Sequence, residues 1–242
     1  MTLLEVCVDT PAGLAAALDG GADRIELCSA LALGGLTPSA GLIALAARTR
    51  KRTQAPVRAM IRPREGHFLF DAADCDMMLR DIDAVRAAGL DGVVIGASNA
   101  AGGLDIALLE RLVAHASGMA ITLHRVVDLL PDPVEAVDAA ITLGLSTILT
   151  SGGATRAVDG VDNIAAMQQR AGGRIEIMAG SGVHADNAPG IIAATGIGAV
   201  HASCSRPIAG ISARLLDLGF DNANRRITDR AAVAALRQAT GG

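Results

Sequence analysis

The sequence predicts one α/β domain, a TIM-type (β/α)8 barrel that occupies residues 1–242. Short β-rich runs alternate with longer Ala/Leu-rich helical runs, and there are eight of each. Strict alternation is typical of an all-parallel sheet with helical crossovers. A length of 242 residues lies in the size range of such barrels. Aromatic residues make up only 1% of the chain, so Ala, Val, Ile and Leu must fill the core, as they do in barrel interiors.

Each predicted strand is followed by a turn and then by a helical pattern. The predicted strands are residues 3–8, 24–28, 57–62, 92–95, 120–124, 147–150, 174–178 and 199–202. The predicted helices are residues 11–18, 39–50, 72–87, 105–115, 133–143, 159–170, 185–194 and 229–237.

The boundaries of these runs carry the expected capping residues. Thr10 precedes Pro11 at the start of the first helix, and Gly89 follows the third. A doubly wound open sheet is the alternative, but the first βα turn, residues 9–11, has no glycine-rich phosphate fingerprint. Residues 203–227 are the longest segment predicted to be irregular.

The composition favours a small ligand over a nucleic acid or a membrane. The net charge of −4 and the pI of 5.7 provide no basic surface for nucleic acid or anionic lipid. The uncharged stretch 27–47 is interrupted by Gly34, Gly35 and Pro38, so it does not predict a membrane span. The amino terminus has no basic region followed by an apolar run, and we expect a cytoplasmic protein. The four cysteines are expected to be free thiols, since none are paired as CxxC.

Ionisable residues cluster near the carboxyl ends of the predicted strands, where the active sites of such barrels lie. Side chains alternate between the two faces of a strand. If the faces carrying two of the cysteines, Cys7 and Cys28, point inward, several charged or titratable groups converge there: Glu5, Glu26, Arg62, His124 and His201. Unpaired buried charge is costly. We therefore predict a functional site, with a self-satisfied network, for example Glu26 with Arg62, as the alternative.

Cys7 and Cys28 end neighbouring predicted strands, whose axes should lie about 4.8 Å apart. Two thiolates at that spacing suit two-coordinate Cu(I), which prefers soft ligands. Inward side chains of adjacent barrel strands tend to fall in different layers, however. Ordinary packing as small buried hydrophobic residues is the alternative for both cysteines.

Two glycine-rich turns follow the sixth and seventh predicted strands. Turns of this kind expose backbone N–H groups, and barrels often bind phosphate on late βα loops. Glycine is also needed simply to form a tight turn. The residues concerned are Gly152, Gly153, Gly180, Ser181 and Gly182.

Eight motifs spread along nearly the whole chain point to a known family. They are LEVCVD (4–9), GGADRIELCSAL (20–31), GGLTPS (34–39), MIRPR (60–64), His124–Arg125 with Asp128, ILTSGGA (148–154), GRIEIM (173–178) and VHAS (200–203). With these motifs in this order, the sequence resembles the CutC family, usually called copper homeostasis proteins. It departs from the family pattern at Val126–Val127, where Ala-Phe is usual, and at residues 179–181, where Pro-Gly-Gly is usual.

The resemblance implies a TIM-type barrel, a cytoplasmic location and frequently a homodimer. It also implies that Cys7 and Cys28 are the Cu(I) ligands. A second hypothesis is a barrel isomerase or lyase that acts on a small oxygenated or phosphorylated metabolite. In that enzyme Glu26 or Glu5 would be the base, His124 or His201 the acid and Arg62 the anion clamp, while Arg125, Asp128 and the turn glycines would contact the substrate.

Overall fold

The computed structural model describes residues 1–241, and in them eight parallel strands form a closed barrel in sequence order. The fold predicted from the sequence is therefore confirmed, and the open-sheet alternative is wrong. The barrel strands are β1 (Leu3–Val8), β2 (Arg24–Leu27), β3 (Val57–Met60), β4 (Gly92–Ile95), β5 (Ala120–Leu123), β6 (Thr147–Thr150), β7 (Glu176–Ala179) and β8 (Ala199–Ala202).

Successive side chains of each strand point alternately toward the surrounding helices and toward the barrel interior, so the protein has two separate cores. On β1, Leu4, Val6 and Val8 are fully buried in the hydrophobic layer between barrel and helices. Glu5 and Cys7 have the opposite parity and face the barrel interior, where Glu5 meets side chains of β2 and β8. The same parity rule places polar side chains from most of the other strands inside the barrel.

Helices surround the barrel, and all of them except α8, which was not predicted, begin and end within three residues of the predicted boundaries. They are α1 (Pro11–Asp19), α2 (Ala40–Thr53), α3 (Ala72–Ala88), α4 (Ile106–His115), α5 (Ala136–Thr142), α6 (Val161–Ala171), α7 (Ala188–Thr195), α8 (Ala213–Asp217) and α9 (Arg230–Ala239). The Thr10 hydroxyl accepts the N–H of Gly13 at the start of α1, as its position predicts. Residues 133–143, predicted as one helix, form a 3-10 turn, Pro133–Glu135, followed by α5.

Residues 203–227 contain more regular structure than the sequence predicts. Strand β9 (Ser205–Pro207) pairs antiparallel with β10 (Arg226–Thr228), and the short helix α8 lies between them in the chain. Elements of three to five residues are too short to leave a periodic pattern, so the sequence does not reveal them.

No helix within residues 1–241 combines the length and the apolar character that crossing a lipid bilayer requires.

Candidate functional site

Two polar layers lie inside the barrel, one above the other. The lower layer is held together by Arg24, the first residue of β2, whose Nε donates to Glu5 and whose Nη2 donates to Oε1 of Glu176 at 2.8 Å. Thr147 donates to the same Glu176 oxygen at 3.0 Å, and Arg58 Nη1 donates to the Thr147 hydroxyl at 2.8 Å. We call these residues, with Thr122, the lower layer.

Above the lower layer, a cavity of about 720 Å³ opens at the carboxyl ends of the strands. We call it the mouth cavity. Its walls include five residues predicted for the site, each from a different strand or strand end: Cys7, Glu26, Arg62, His124 and His201. The predicted turn residues Gly153, Ser181 and Gly182 and the predicted substrate residues Arg125 and Asp128 also line it.

His201 on β8 joins the two layers. Its Nδ1 donates to Oε1 of Glu5 at 2.9 Å, and its Nε2 lies 3.8 Å from Oε2 of Glu26. Burial lowers the pKa of His201, but the neighbouring Cys7 and Glu26 and the hydrogen bond to Glu5 raise it well above its usual value. His201 is therefore an imidazolium whose orientation is fixed by a buried carboxylate.

The two carboxyl groups beside His201 have pKa shifts of opposite sign. Burial alone raises the pKa of Glu5, yet the hydrogen bond from His201 and the charge of Arg24 bring it down to about 2. For Glu26, burial dominates and raises the pKa, with Glu5 adding repulsion, while His201 opposes the shift only in part. Glu5 is thus a permanent anion, whereas Glu26 is a carboxyl group suited to gaining or losing a proton.

Cys7, Glu26 and His201 form the group of side chains best placed to hold a metal ion. The Cys7 sulfur, one Glu26 oxygen and one His201 ring nitrogen all lie within 4.8 Å of one another, and residues 1–241 contain no other such group of three. The Glu5–His201 contact resembles the carboxylate–histidine arrangement that orients imidazole ligands in metal sites.

Cys28 is not part of that group of three. The strand register pairs Cys7 with Glu26, so Cys28 lies two residues farther on, just after β2 ends. It packs against Met60 and the backbone of Gly35. Its thiol donates to Oε2 of Glu26 at 3.4 Å. Burial and the nearby Glu26 and Cys7 raise its pKa well above the usual value. Cys28 is therefore a protonated thiol behind Glu26.

Arg62 does not pair with Glu26, the network suggested by the sequence. Its Nη1 donates to the carbonyl oxygens of Leu33 and Gly35, and its Nη2 donates to that of Gly66 at 3.0 Å. Its guanidinium carbon lies 4.8 Å from the centre of the Phe68 ring. The side chain is buried and fixed by the loops that follow β2 and β3.

His124 is a neutral imidazole. The N–H of Val126 donates to its Nδ1 at 3.1 Å, so the ring hydrogen is assigned to Nε2. Burial, reinforced by the positive charge of Arg62, lowers the pKa of His124 to about 3. Its ring lies 4.8 Å from that of Phe68, between centroids.

Three buried side-chain atoms in residues 1–241 lack a hydrogen-bond partner: Glu26 Oε1, Arg62 Nε and His124 Nε2. All three belong to residues that line the mouth cavity. A buried polar group without a partner costs about 1–3 kcal/mol. Their concentration at one cavity indicates a site built to meet polar groups of a ligand.

The two glycine-rich turns differ in whether their backbone N–H groups have acceptors within the protein. After β6, Asp128 accepts the N–H groups of Ser151 and Gly153, while the N–H of Gly152 donates to Thr150. Arg125 Nε donates to the other Asp128 oxygen at 2.7 Å. An internal carboxylate thus occupies the place that an anion would take at this turn.

After β7, Gly180 N–H donates to the carbonyl of Thr150. Within residues 1–241, the N–H groups of Ser181 and Gly182 have no acceptor. Ser181 has a φ of +79°, unusual for a residue with a Cβ.

The sequence analysis did not single out Arg24 or Phe68. Arg24 shares the parity of Glu26 and Cys28 on β2, so alternation alone would have placed its charge inside the barrel. The contacts of Phe68 join residues far apart in sequence, and no local pattern reveals them.

The family model and the most similar relatives point to the same protein family. The model of the CutC family matches residues 2–206. The CutC family protein of Sinorhizobium medicae (strain WSM419) is 52% identical over 235 residues, or 97% of this chain and 94% of the relative. That of Caulobacter vibrioides (strain NA1000 / CB15N) is 53% identical over 234 residues, or 96% of this chain and 94% of the relative.

A solved structure of the same family has the same fold as this chain. The crystal structure of CutC from Streptococcus agalactiae, provisionally described as a copper homeostasis protein, superposes with a TM-score of 0.80 at 31% identity. The match covers 84% of this chain and 99% of that one. Thiamine phosphate pyrophosphorylase from Pyrococcus furiosus has a TM-score of 0.62 at 15% identity and covers 99% of this chain and 95% of its own. That likeness shows the barrel fold alone.

Proposed function

Because this chain belongs to the CutC family, we propose that it handles copper by binding Cu(I) at the mouth cavity. The observation that carries this proposal is the group of Cys7, Glu26 and His201, with ligand atoms within 4.8 Å of one another. We further propose that the protein works in the cytoplasm as a homodimer, as the family resemblance implies.

The donor set fits Cu(I) in part. Thiolate and imidazole are ligands that copper accepts, whereas a carboxylate suits harder ions. Cys7 and His201 would therefore hold the ion, once the His201 imidazolium has released the proton on Nε2. Cys28 would join as a second thiolate only after losing the proton it shares with Glu26. When bound, Cu(I) would supply a soft centre for further sulfur or nitrogen ligands.

The test is anaerobic Cu(I) competition against a strong chelator. Cys7→Ser should weaken binding at least about 100-fold, the upper end of the loss seen when only an outer-sphere partner is removed. Cys28→Ser should have a smaller effect, because Cys28 lies outside the group of three.

The matched control is Cys75→Ser, which changes a buried thiol on α3. The chain has no Trp and no Tyr, so thiolate-to-copper absorption is measurable in the near ultraviolet. Equal, weak affinity in the wild type and the Cys7→Ser, Cys28→Ser double variant would contradict the proposal.

A second function is favoured by the size of the cavity and its three unpartnered polar atoms. About 720 Å³ far exceeds what a metal ion needs and falls within the range of small-molecule sites, about 300–1,000 Å³. We propose a barrel isomerase or lyase for a small oxygenated or phosphorylated metabolite. In this enzyme Glu26 exchanges a proton with the substrate, His201 acts as the charged acid and Glu5 positions His201.

This enzyme is tested by incubating metal-free protein with a cell metabolite extract and following consumption by liquid chromatography coupled to mass spectrometry, in which the chromatography separates isomers of equal mass. A compound consumed by the wild type should persist with Glu26→Gln and be consumed normally by Glu110→Gln, a change on the exposed face of α4. If the wild type consumes nothing, or if Glu26→Gln remains fully active, the enzyme proposal fails.

A further inference from the structure

Two of the three unpartnered polar atoms lie against the same aromatic ring. Phe68 is half-buried in the loop between β3 and α3, and its backbone carbonyl accepts the N–H of Ser98. The Arg62 guanidinium lies over this ring at 4.8 Å, and the His124 ring lies 4.8 Å from it at an angle of 45°. The two groups that carry these atoms, the Arg62 guanidinium and the His124 imidazole, therefore flank one side chain at the wall of the mouth cavity.

Both atoms are hydrogen-bond donors whose orientation is fixed. The terminal nitrogens of Arg62 are held by three backbone carbonyls, so its Nε–H points where the loops direct it. His124 is held by the N–H of Val126, which leaves Nε2–H as its free donor. Neither donor has an acceptor in the protein.

The charge at this wall is positive. Within residues 1–241, Arg62 contacts no carboxylate closely enough to form an ion pair; its neighbours are carbonyl oxygens and the Phe68 ring. A buried cation next to a neutral donor calls for a partner that accepts hydrogen bonds and carries negative charge. The arginine fork also matches the planar geometry of oxyanions.

We propose that Arg62 Nε and His124 Nε2 form a subsite for a compact oxyanion, the carboxylate or phosphate group of a small metabolite, and that Phe68 covers this subsite in the free protein. The inference rests on the second proposed function and names the group by which its substrate is held. The oxyanion displaces the Phe68 ring edge and accepts one hydrogen bond from each donor. The rest of the molecule then extends toward Glu26 and His201.

The experiment titrates metal-free protein with glycolate and, in a separate arm, with inorganic phosphate, following the histidine Cε1–H resonances by NMR. Five histidines are present, and single variants assign them. We expect a saturable shift of His124 in at least one arm, and the arm that saturates identifies the oxyanion. His124→Asn retains an acceptor for the Val126 N–H but lacks Nε2–H. Because this variant also lacks the reporter ring, its affinity and that of the wild type are compared by isothermal titration calorimetry, and binding should weaken about 10-fold or more.

Arg62→Lys should weaken binding to a similar extent, since lysine has no Nε–H in a fixed fork. Its matched control is Arg64→Lys, which changes the arginine over Phe70 in the same loop. The control for the histidine is His115→Asn, at the last residue of α4. If Arg62→Lys does not fold, His124→Asn still decides the question. The absence of a saturable shift in both arms, or wild-type affinity in His124→Asn, would overturn the subsite. The titration measures binding and not turnover, so a saturable shift without any consumed metabolite would sustain the subsite while the enzyme proposal fails.

Discussion

The lower layer and the mouth cavity lie a few ångströms apart inside one barrel, yet their polar groups are satisfied to very different degrees. In the lower layer, Arg24 connects Glu5 and Glu176, and each buried charge of that trio has an opposite partner. At the mouth, Glu26, Arg62 and His124 each retain a buried atom without a partner. The lower layer serves the fold, whereas the mouth retains unsatisfied groups that only a ligand would complete.

His201 is the connection between them. Its Nδ1 contacts Glu5 in the lower layer and its Nε2 faces Glu26 at the mouth. A change in the lower layer should therefore affect the mouth through the orientation of this ring.

The largest expected effect comes from breaking the lower layer. Glu5→Gln removes the anion from between Arg24 and His201, both of which are buried. Removing one partner of a buried ion pair costs about 3–5 kcal/mol. Chemical denaturation should show a loss of that size in the free energy of unfolding, with Glu110→Gln, a change at an exposed residue of α4, as control. A loss below about 1 kcal/mol would show that the lower layer does not stabilise the fold.

An intermediate effect concerns His124 and pH. The pKa of His124 is about 3 in the folded protein, against about 6.5 when unfolded. Below pH 6.5 the His124 imidazole binds a proton in the unfolded state but stays neutral in the folded state. The free energy of unfolding therefore falls as the pH falls. The wild type should lose about 2 kcal/mol more than His124→Asn between pH 7 and pH 5. Parallel curves of stability against pH for the two proteins would contradict a neutral buried His124.

The smallest effect is expected at Glu26. Glu26→Gln preserves the shape of the side chain and an acceptor for the Cys28 thiol, and it removes a carboxyl group whose Oε1 has no partner. We expect a change within about 1 kcal/mol in the free energy of unfolding, because replacing a poorly satisfied buried group costs little. A loss equal to that of Glu5→Gln would erase the distinction between the two layers.

The sequence predicts the strands of the barrel and which of their side chains face inward. The predicted strand 3–8 coincides with β1, and the parity of Glu5 with Cys7 and of Glu26 with Cys28 predicts which side chains face inward. The sequence does not predict which groups those inward side chains contact. Pairing of Arg62 with Glu26 was an alternative that the sequence left open. The carbonyls of Leu33, Gly35 and Gly66 hold Arg62 instead, since two loops fold over the end of β3.

The sequence by itself determined the barrel, because the alternation of strands and helices and the period of two along each strand are local properties of the chain. The tertiary structure alone decided that Cys7 lies level with Glu26 and that Cys28 does not join the group of three. It also decided that Arg24 pairs with the buried Glu5. Register and stagger are set when the barrel closes, and closure depends on all eight strands together.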